Sequence, residues 1–412
     1  AATVSLRSLR TFTSFKVPVF RLYYGAMLAQ MAAMNMQMIS KGLLVYRLTE
    51  SASILGLMAL ANSLPMLFFS FYGGVLADRL RKKWVIFVGD LCYAAISLAV
   101  AVALVTGFLS ADRPGSWVIL LVYSLASGTI MGLMMPARQA VVAEIVNESQ
   151  LMNALALNTL GMNLNRLIMP AAAGFMVEAF DFGATYFFMT GLYLLAATFV
   201  WLMPLKGHIS LRGGGALADI KSGLKYVRHE PTILMILIVT LVIVVLSMPY
   251  MTLLPVFTED ILKVGAGGMG VLISISGIGA IVGSLVLASL PNKSRAMIML
   301  IGSLVLGLAL AGFSFTTQWR VARGMMVFVG LGQTARMTLS NTLLQYYVVD
   351  EYRGRVLSLY LMEFGLTSFA VFFAAVMTDV IGVQWAVGGL AIALVVFVVL
   401  VTLFSPRMRK LD

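Results

Sequence analysis

A few ionisable side chains lie inside otherwise apolar stretches of the chain: Lys41, Asp90, Arg138, Glu144, Arg166, Arg336 and Glu363. A charge in such surroundings is costly, and it is retained where it pairs, moves an ion or meets a ligand. Glu363 lies about 13 Å into its stretch from Gly354, at 1.5 Å per helical residue. A carboxyl at that depth either faces a cation or takes up a proton. Releasing the proton to the opposite side would couple solute movement to proton flow. Asp90, about 9 Å into its own stretch, is the second proton-coupling candidate. The competing reading is an internal salt bridge with Arg336 or Arg166. Lys41 and Arg166, at cavity depth, suit an anionic solute unless these acids neutralise them.

Other residues point to a lipophilic solute. The chain has 28 methionines, and Met27, Met31, Met34 and Met38 recur at helical spacing. Flexible, polarisable thioethers suit a surface that accepts varied ligands, although adaptable packing between helices uses them equally. Gln30, Asn35, Gln37, Asn158 and Asn163 add polar points, or hydrogen bonds between helices. The substrate-cavity candidates are Met31, Met34, Asn35, Met38, Lys41, Asn158, Asn163, Arg166, Arg336 and Tyr250, with Phe68, Phe69 and Phe364 as aromatic neighbours. Enzyme machinery is not expected. There is no Gly-x-x-x-x-Gly-Lys phosphate loop, and Cys92 is the only cysteine. His208 and His229 fall in a polar interval, so neither a metal nor another cofactor is expected.

The elements that carry these residues follow from composition. Of the 412 residues 60% are hydrophobic and 11% charged. That is too little charge for the surface of a water-soluble domain. Stretches of about 20 apolar residues, each enough to cross a bilayer as a helix, run near Pro18–Arg47, Ser53–Ala77, Trp84–Leu109, Trp117–Glu144, Leu151–Glu178 and Gly183–Pro204. Six more run near Thr232–Leu262, Ala266–Leu290, Ala296–Phe315, Val321–Val348, Gly354–Val380 and Trp385–Phe404. They lack the period-two alternation of barrel strands. Trp84, Trp117, Trp201, Trp319 and Trp385 all fall at span ends, where indole rings favour the interface.

Basic loops alternate with loops poor in Lys and Arg. This places both termini and the central loop on the cytoplasmic side, and the net charge of +12 follows from that bias rather than from a nucleic-acid partner. The basic N-terminal segment reads as a cytoplasmic tail, not a targeting peptide. The expected organisation is an all-α membrane protein: a tail (1–17), a six-helix bundle (18–204), a loop (205–231), a second six-helix bundle (232–404) and a tail (405–412). In the loop, Leu217, Ile220, Leu224 and Val227 share one helical face, which predicts an amphipathic helix on the inner leaflet. The segment from Gly132 to Arg138 echoes that from Gly330 to Arg336 at an offset of 198 residues. Both copies lie in the fourth span of a half, as in transporters built from parallel repeats.

The run from Gly74 to Lys83, Gly-Val-Leu-Ala-Asp-Arg-Leu-Arg-Lys-Lys, resembles the loop 2–3 signature of the major facilitator superfamily, with Arg81 replacing its second glycine. Pro136–Glu144, Asn153–Asn158, Gly223–Arg228 and Arg353–Val356 resemble the branch of siderophore exporters and macrolide or multidrug efflux pumps. Met169–Gly174 keeps only Pro170 and Gly174 of the Gly-Pro-x-x-Gly-Gly pattern of many drug antiporters, so export is inferred from the branch. The resemblance implies the twelve-helix major facilitator fold and a cytoplasmic gate made of Gly74, Asp78, Arg79, Lys82, Lys83, Arg138 and Glu144. In it Asp78 meets the helix N-terminus near Gly354, and Arg138 pairs with Asp78 or Glu144. The implied function is export of a lipophilic or siderophore-like small molecule by alternating access with proton antiport. The expected partners are that solute, protons and the lipid bilayer. The expected setting is the cell inner membrane, with the chain as a monomer. A lysolipid flippase or passive facilitator of the same fold is the alternative, and a non-transporting membrane receptor or scaffold is the remote one.

Overall fold

In the computed structural model of the chain, residues 14–204, 216–290, 293–409 and 411 are described. The remaining N-terminal tail, residues 205–215 of the central loop and Lys410 lie outside them. The described residues are helical wherever the sequence is apolar: α1 Pro18–Thr49, α2 Ala52–Arg79, α3 Lys82–Val105, α4 Val118–Ile145 and α5 Glu148–Leu202. They continue with α6 Ala216–His229, α7 Pro231–Ser247, α8 Pro249–Val256, α9 Gly265–Ser289 and α10 Arg295–Phe315. The last are α11 Trp319–Tyr347, α12 Asp350–Ile381, α13 Val383–Phe404 and the short α14 Pro406–Arg409. Helices satisfy their backbone hydrogen bonds internally, as a chain in lipid must. Large apolar side chains such as Val105, Phe175, Val380 and Phe404 point outward and are exposed. On a protein in water such a surface would aggregate; in a bilayer it meets lipid.

Among the described residues nine segments are long and apolar enough to cross a membrane. Gln150–Leu202 is one of them, and it holds two crossings. At 55 residues α5 would measure about 80 Å, far more than the roughly 30 Å of a hydrocarbon core. The chain leaves helical geometry at Asp181 (φ 87, ψ 176). Asp181 Oδ1 then accepts from the Ala184 amide (2.8 Å) and its carbonyl from Thr185 Oγ1 (2.7 Å), so it caps the next crossing. Helices α1 and α11 have the length of crossings but carry Gln30, Gln37 and Lys41, and Arg320, Arg323 and Arg336. With them, helix runs along all twelve expected stretches. The seventh is jointed, passing from α7 through α8 into a π turn, Phe257–Ile261, with Pro249 and Pro255 at its breaks.

The helices form two compact units. One holds Ala1–Lys41 and Leu64–Arg212, the other Gly42–Ser63 and Gly213–Asp412. The repeated segment has the same structural job in each. In the first unit a Cβ on Gly132 of α4 would lie 2.6 Å from the Met66 carbonyl oxygen of α2. In the second, a Cβ on Gly330 of α11 would lie 1.9 Å from the Ser276 carbonyl oxygen of α9. Both glycines let two helix backbones touch. Gly330→Val must push α9 off α11, because the obstacle is backbone. The expected result is a loss of about 3 kcal/mol or more in unfolding free energy, read as a lower midpoint in thermal unfolding of the purified chain.

In the second unit, the end of α1 and the start of α2 pack with the later helices. Asp379 of α12 caps α2: its carboxylate accepts from the Ala52 amide (2.9 Å), the Ser53 amide (3.0 Å) and Ser51 Oγ (3.1 Å). Arg47 pairs with Glu259 at 2.8 Å, and the Tyr46 hydroxyl donates to Asp260. Gly56 lies against Phe372 and Ala375. Replacing Asp379 with alanine is expected to cost about 1–2 kcal/mol, as for the loss of a cap. Hydrogen exchange should rise first at the amides of Ala52 and Ser53.

A helix forms in the central loop, α6, and it packs on α12. Gly223 and Val227 of α6 face α12, where Gly223 meets Arg355, and Tyr226 stacks on Tyr352 with ring centroids 4.3 Å apart. Leu224 is exposed.

Candidate functional site

The second unit buries a polar cluster formed by α7, α11 and α12. Arg336 is 1% exposed and Glu363 5%. Thr240 of α7 donates its hydroxyl to Glu363 Oε1 at 2.8 Å. Tyr360 and Glu363, three residues apart on one face of α12, are the groups whose charge or hydroxyl the guanidinium feels most. The Tyr360 hydroxyl lies beside the guanidinium, and apart from it Nε, Nη1 and Nη2 of Arg336 have no hydrogen-bond partner, nor has Glu363 Oε2. No carboxylate among the described residues comes within 4.0 Å of the Arg336 nitrogens. The expected alternative, a closed Glu363–Arg336 salt bridge, is not formed. One turn away on α11, half-buried Gln333 accepts from the Tyr250 hydroxyl at 3.4 Å.

The first unit has a different polar interior. Tyr193 donates to Gln37 Oε1 (2.8 Å), and the Gln37 amide donates to Ser127 Oγ (3.1 Å). Tyr93 stacks on Tyr193 with centroids 5.0 Å apart and donates to the Ser127 carbonyl (3.0 Å). Asp90 is fully buried nearby, and neither of its carboxylate oxygens has a hydrogen-bond partner. Arg138 of α4 is the cation that faces it, and the Arg138 Nε is itself buried without an acceptor. The repeat thus places Arg138 half-buried in one unit and its counterpart Arg336 wholly buried in the other.

The remaining substrate-cavity candidates separate. Met31, Met34, Asn35 and Met38 lie together on the partly exposed face of α1, whereas Met27 and Met36 are buried. Lys41 donates to Ser124 Oγ at 3.3 Å. Asn158 donates to the Tyr23 hydroxyl at 3.0 Å, which is a helix-to-helix bond. Asn163 and Arg166 are exposed on α5. At the loop 2–3 signature, Lys82 pairs with Glu144 at 2.5 Å, so the carboxylate partner expected for Arg138 is taken by Lys82. Lys83 donates to the carbonyls of Trp201 (2.8 Å) and Met203 (2.6 Å), tying the start of α3 to the end of α5. Gly74 has open space where a side chain would stand, and Arg79 is exposed. The side chains of Asp78 and Phe364 lie outside the described residues.

Thr240, Tyr360, Tyr93, Tyr193 and Ser127 were not anticipated. Tyr360 alone carries a readable signal, its spacing of three from Glu363. The others are common residue types in apolar runs, where nothing in the spacing marks them.

Comparison with known proteins places this arrangement. Residues 9–412 match the family profile described as transmembrane secretion effector. The staphyloferrin A transporter of Staphylococcus aureus (strain NCTC 8325 / PS 47) is 24% identical over 338 residues, 81% of this chain and 83% of that protein. The macrolide efflux protein A of Streptococcus pyogenes is 24% identical, covering 98% of this chain and all of the other. The multidrug efflux pump Tap of Mycolicibacterium fortuitum is 24% identical over 90% of this chain and 91% of its own. Among solved structures, a POT family transporter in complex with 5-aminolevulinic acid superposes with a TM-score of 0.74 at 12% identity, covering 95% of this chain and 96% of that one. At that identity the likeness concerns the fold.

Proposed function

Since the chain belongs to the transmembrane secretion effector family of the major facilitator superfamily, and is a multi-pass membrane transporter and not an enzyme, we propose that it exports a lipophilic or siderophore-like small molecule. Export proceeds by alternating access and is driven by protons moving the other way. Both termini and the central loop are cytoplasmic, the membrane is the inner one, and the chain works as a monomer. The two bundles are the stretches 18–204 and 232–404, with Asp78 as a latch at the cytoplasmic gate.

The observation that carries this reading is Glu363: a carboxyl 5% exposed, held by Thr240 through one oxygen and unpartnered at the other. The groups that face it are Thr240, Arg336 and Tyr360. In this reading Glu363 is the group that takes up and releases the coupled proton. Asp90, buried with both oxygens unpartnered, is the second candidate for that role.

The test is transport of radiolabelled erythromycin into proteoliposomes. With an acid lumen and neutral exterior, protons leave as the macrolide enters through chains that present their cytoplasmic side outward. Accumulation above the equal-pH level, abolished by a protonophore, is the expected result. Flux that merely equilibrates and ignores the gradient would identify a passive facilitator.

A further inference from the structure

The buried guanidinium of Arg336 does more than face a proton site. It brings three nitrogens with no carboxylate or amide acceptor to one place, and the Tyr360 hydroxyl stands beside them. Buried donors of this kind are almost always matched by an acceptor, and a guanidinium matches a carboxylate through two parallel hydrogen bonds. Glu363 is the nearby acid, but Thr240 holds its Oε1 and it forms no ion pair with Arg336. Ser340 donates to Met299 Sδ at 3.3 Å, and the Gln333 carbonyl oxygen accepts from Tyr250 at 3.4 Å. The repeat counterpart Arg138 lacks this enclosure, since it is half-buried and only its Nε is unpartnered among buried atoms. Half-buried Gln333, one turn along α11, lies against Met248.

We propose that Arg336 and Tyr360 form a carboxylate-binding subsite within the second unit, which takes an anionic group of the transported molecule, with Glu363 as its competitor for the guanidinium. A solute carboxylate and a charged Glu363 cannot both hold the guanidinium, so the two compete at Arg336. The subsite deepens the export reading above by assigning the solute a carboxylate, and it is tested without any gradient.

Rhodamine 110 and rhodamine 123 form a matched pair: the first has a free carboxyl, the second is its methyl ester. Both are titrated by fluorescence anisotropy onto the purified full-length chain in lipid nanodiscs. The acid is expected to bind about 10-fold tighter than the ester, the worth of a charge-assisted hydrogen bond. Arg336→Gln should weaken the acid by about 10-fold or more and leave the ester unchanged, which shows that the variant is folded. Arg336→Lys should retain part of the preference, and Glu363→Gln should tighten the acid by removing its competitor. Equal affinity for the two dyes, no saturable binding of the acid, or a preference that survives Arg336→Gln would each overturn the subsite. A chain that prefers the acid but fails to accumulate erythromycin with an acid lumen would refute proton-driven export and leave the subsite standing.

Discussion

Arg336→Met is expected to give a chain that resists unfolding better than the original and does not transport a carboxylate solute. The native guanidinium is 1% exposed and makes no ion pair, so it is a costly charge in the interior of a membrane helix bundle. Methionine has a similar length, fills the same space between α7, α11 and α12, and carries no charge to desolvate. Replacing buried ionic groups by apolar ones of similar volume commonly stabilises by about 1–4 kcal/mol. Glu363 loses its neighbouring cation but keeps the Thr240 hydrogen bond. Thermal unfolding in detergent should therefore move upward, while uptake of rhodamine 110 into proteoliposomes falls by about 10-fold or more. A lower unfolding midpoint would show that the guanidinium is structural glue, and unchanged uptake would show that it does not meet the solute. The combination of greater stability with lost transport is the signature of a residue kept for function at the expense of the fold.

What could be read in the sequence, and what could not, divides along a physical line. The crossings were legible because lipid imposes length and apolarity on each one. Even the break at Asp181 falls in the gap expected between the fifth and sixth stretches, where Phe182 and Gly183 follow a residue able to cap. Arg336 and Glu363 stood out because a charge in an apolar run is conspicuous by itself. Their relationship was not legible. Whether two such groups pair depends on helix rotation and on third parties such as Thr240 and Tyr360, which leave no mark in spacing between helices. The same limit explains Glu144, whose partner is Lys82 across the α3–α4 contact rather than Arg138 six residues earlier on its own helix. It also explains the placement of Gly42–Ser63 with the second unit, which is set by the carboxylates of Glu259, Asp260 and Asp379 far along the chain. The echo at Gly132 and Gly330 was readable as a repeat, and the structure supplies its reason in two close backbone crossings. Repeated motifs can still diverge in burial, as Arg138 and Arg336 do, because burial belongs to the neighbours and not to the motif.

Glu363→Gln is expected to uncouple transport from the pH gradient without stopping it. Glutamine keeps the shape of the side chain and can still accept the Thr240 hydrogen bond through its carbonyl oxygen, so the packing of α7 on α12 is preserved. It can neither release a proton nor gain a charge. Alternating access needs the carboxyl to lose its charge in one phase of the cycle and regain it in the other, and a permanently neutral group removes that alternation. Erythromycin accumulation driven by an acid lumen should fall by about 10-fold or more. Counterflow, in which labelled macrolide exchanges with unlabelled macrolide at equal pH, should continue, because no net proton movement accompanies it. Asp90→Asn separates the two candidate acids: in this reading it slows transport while the response to the gradient remains. Loss of gradient response confined to Asp90→Asn would move the proton site to the first unit, beside Arg138 and Tyr93. Full gradient response in both variants would remove proton antiport through either acid, and with it the reason for a bundle to keep carboxyls where no water stabilises them.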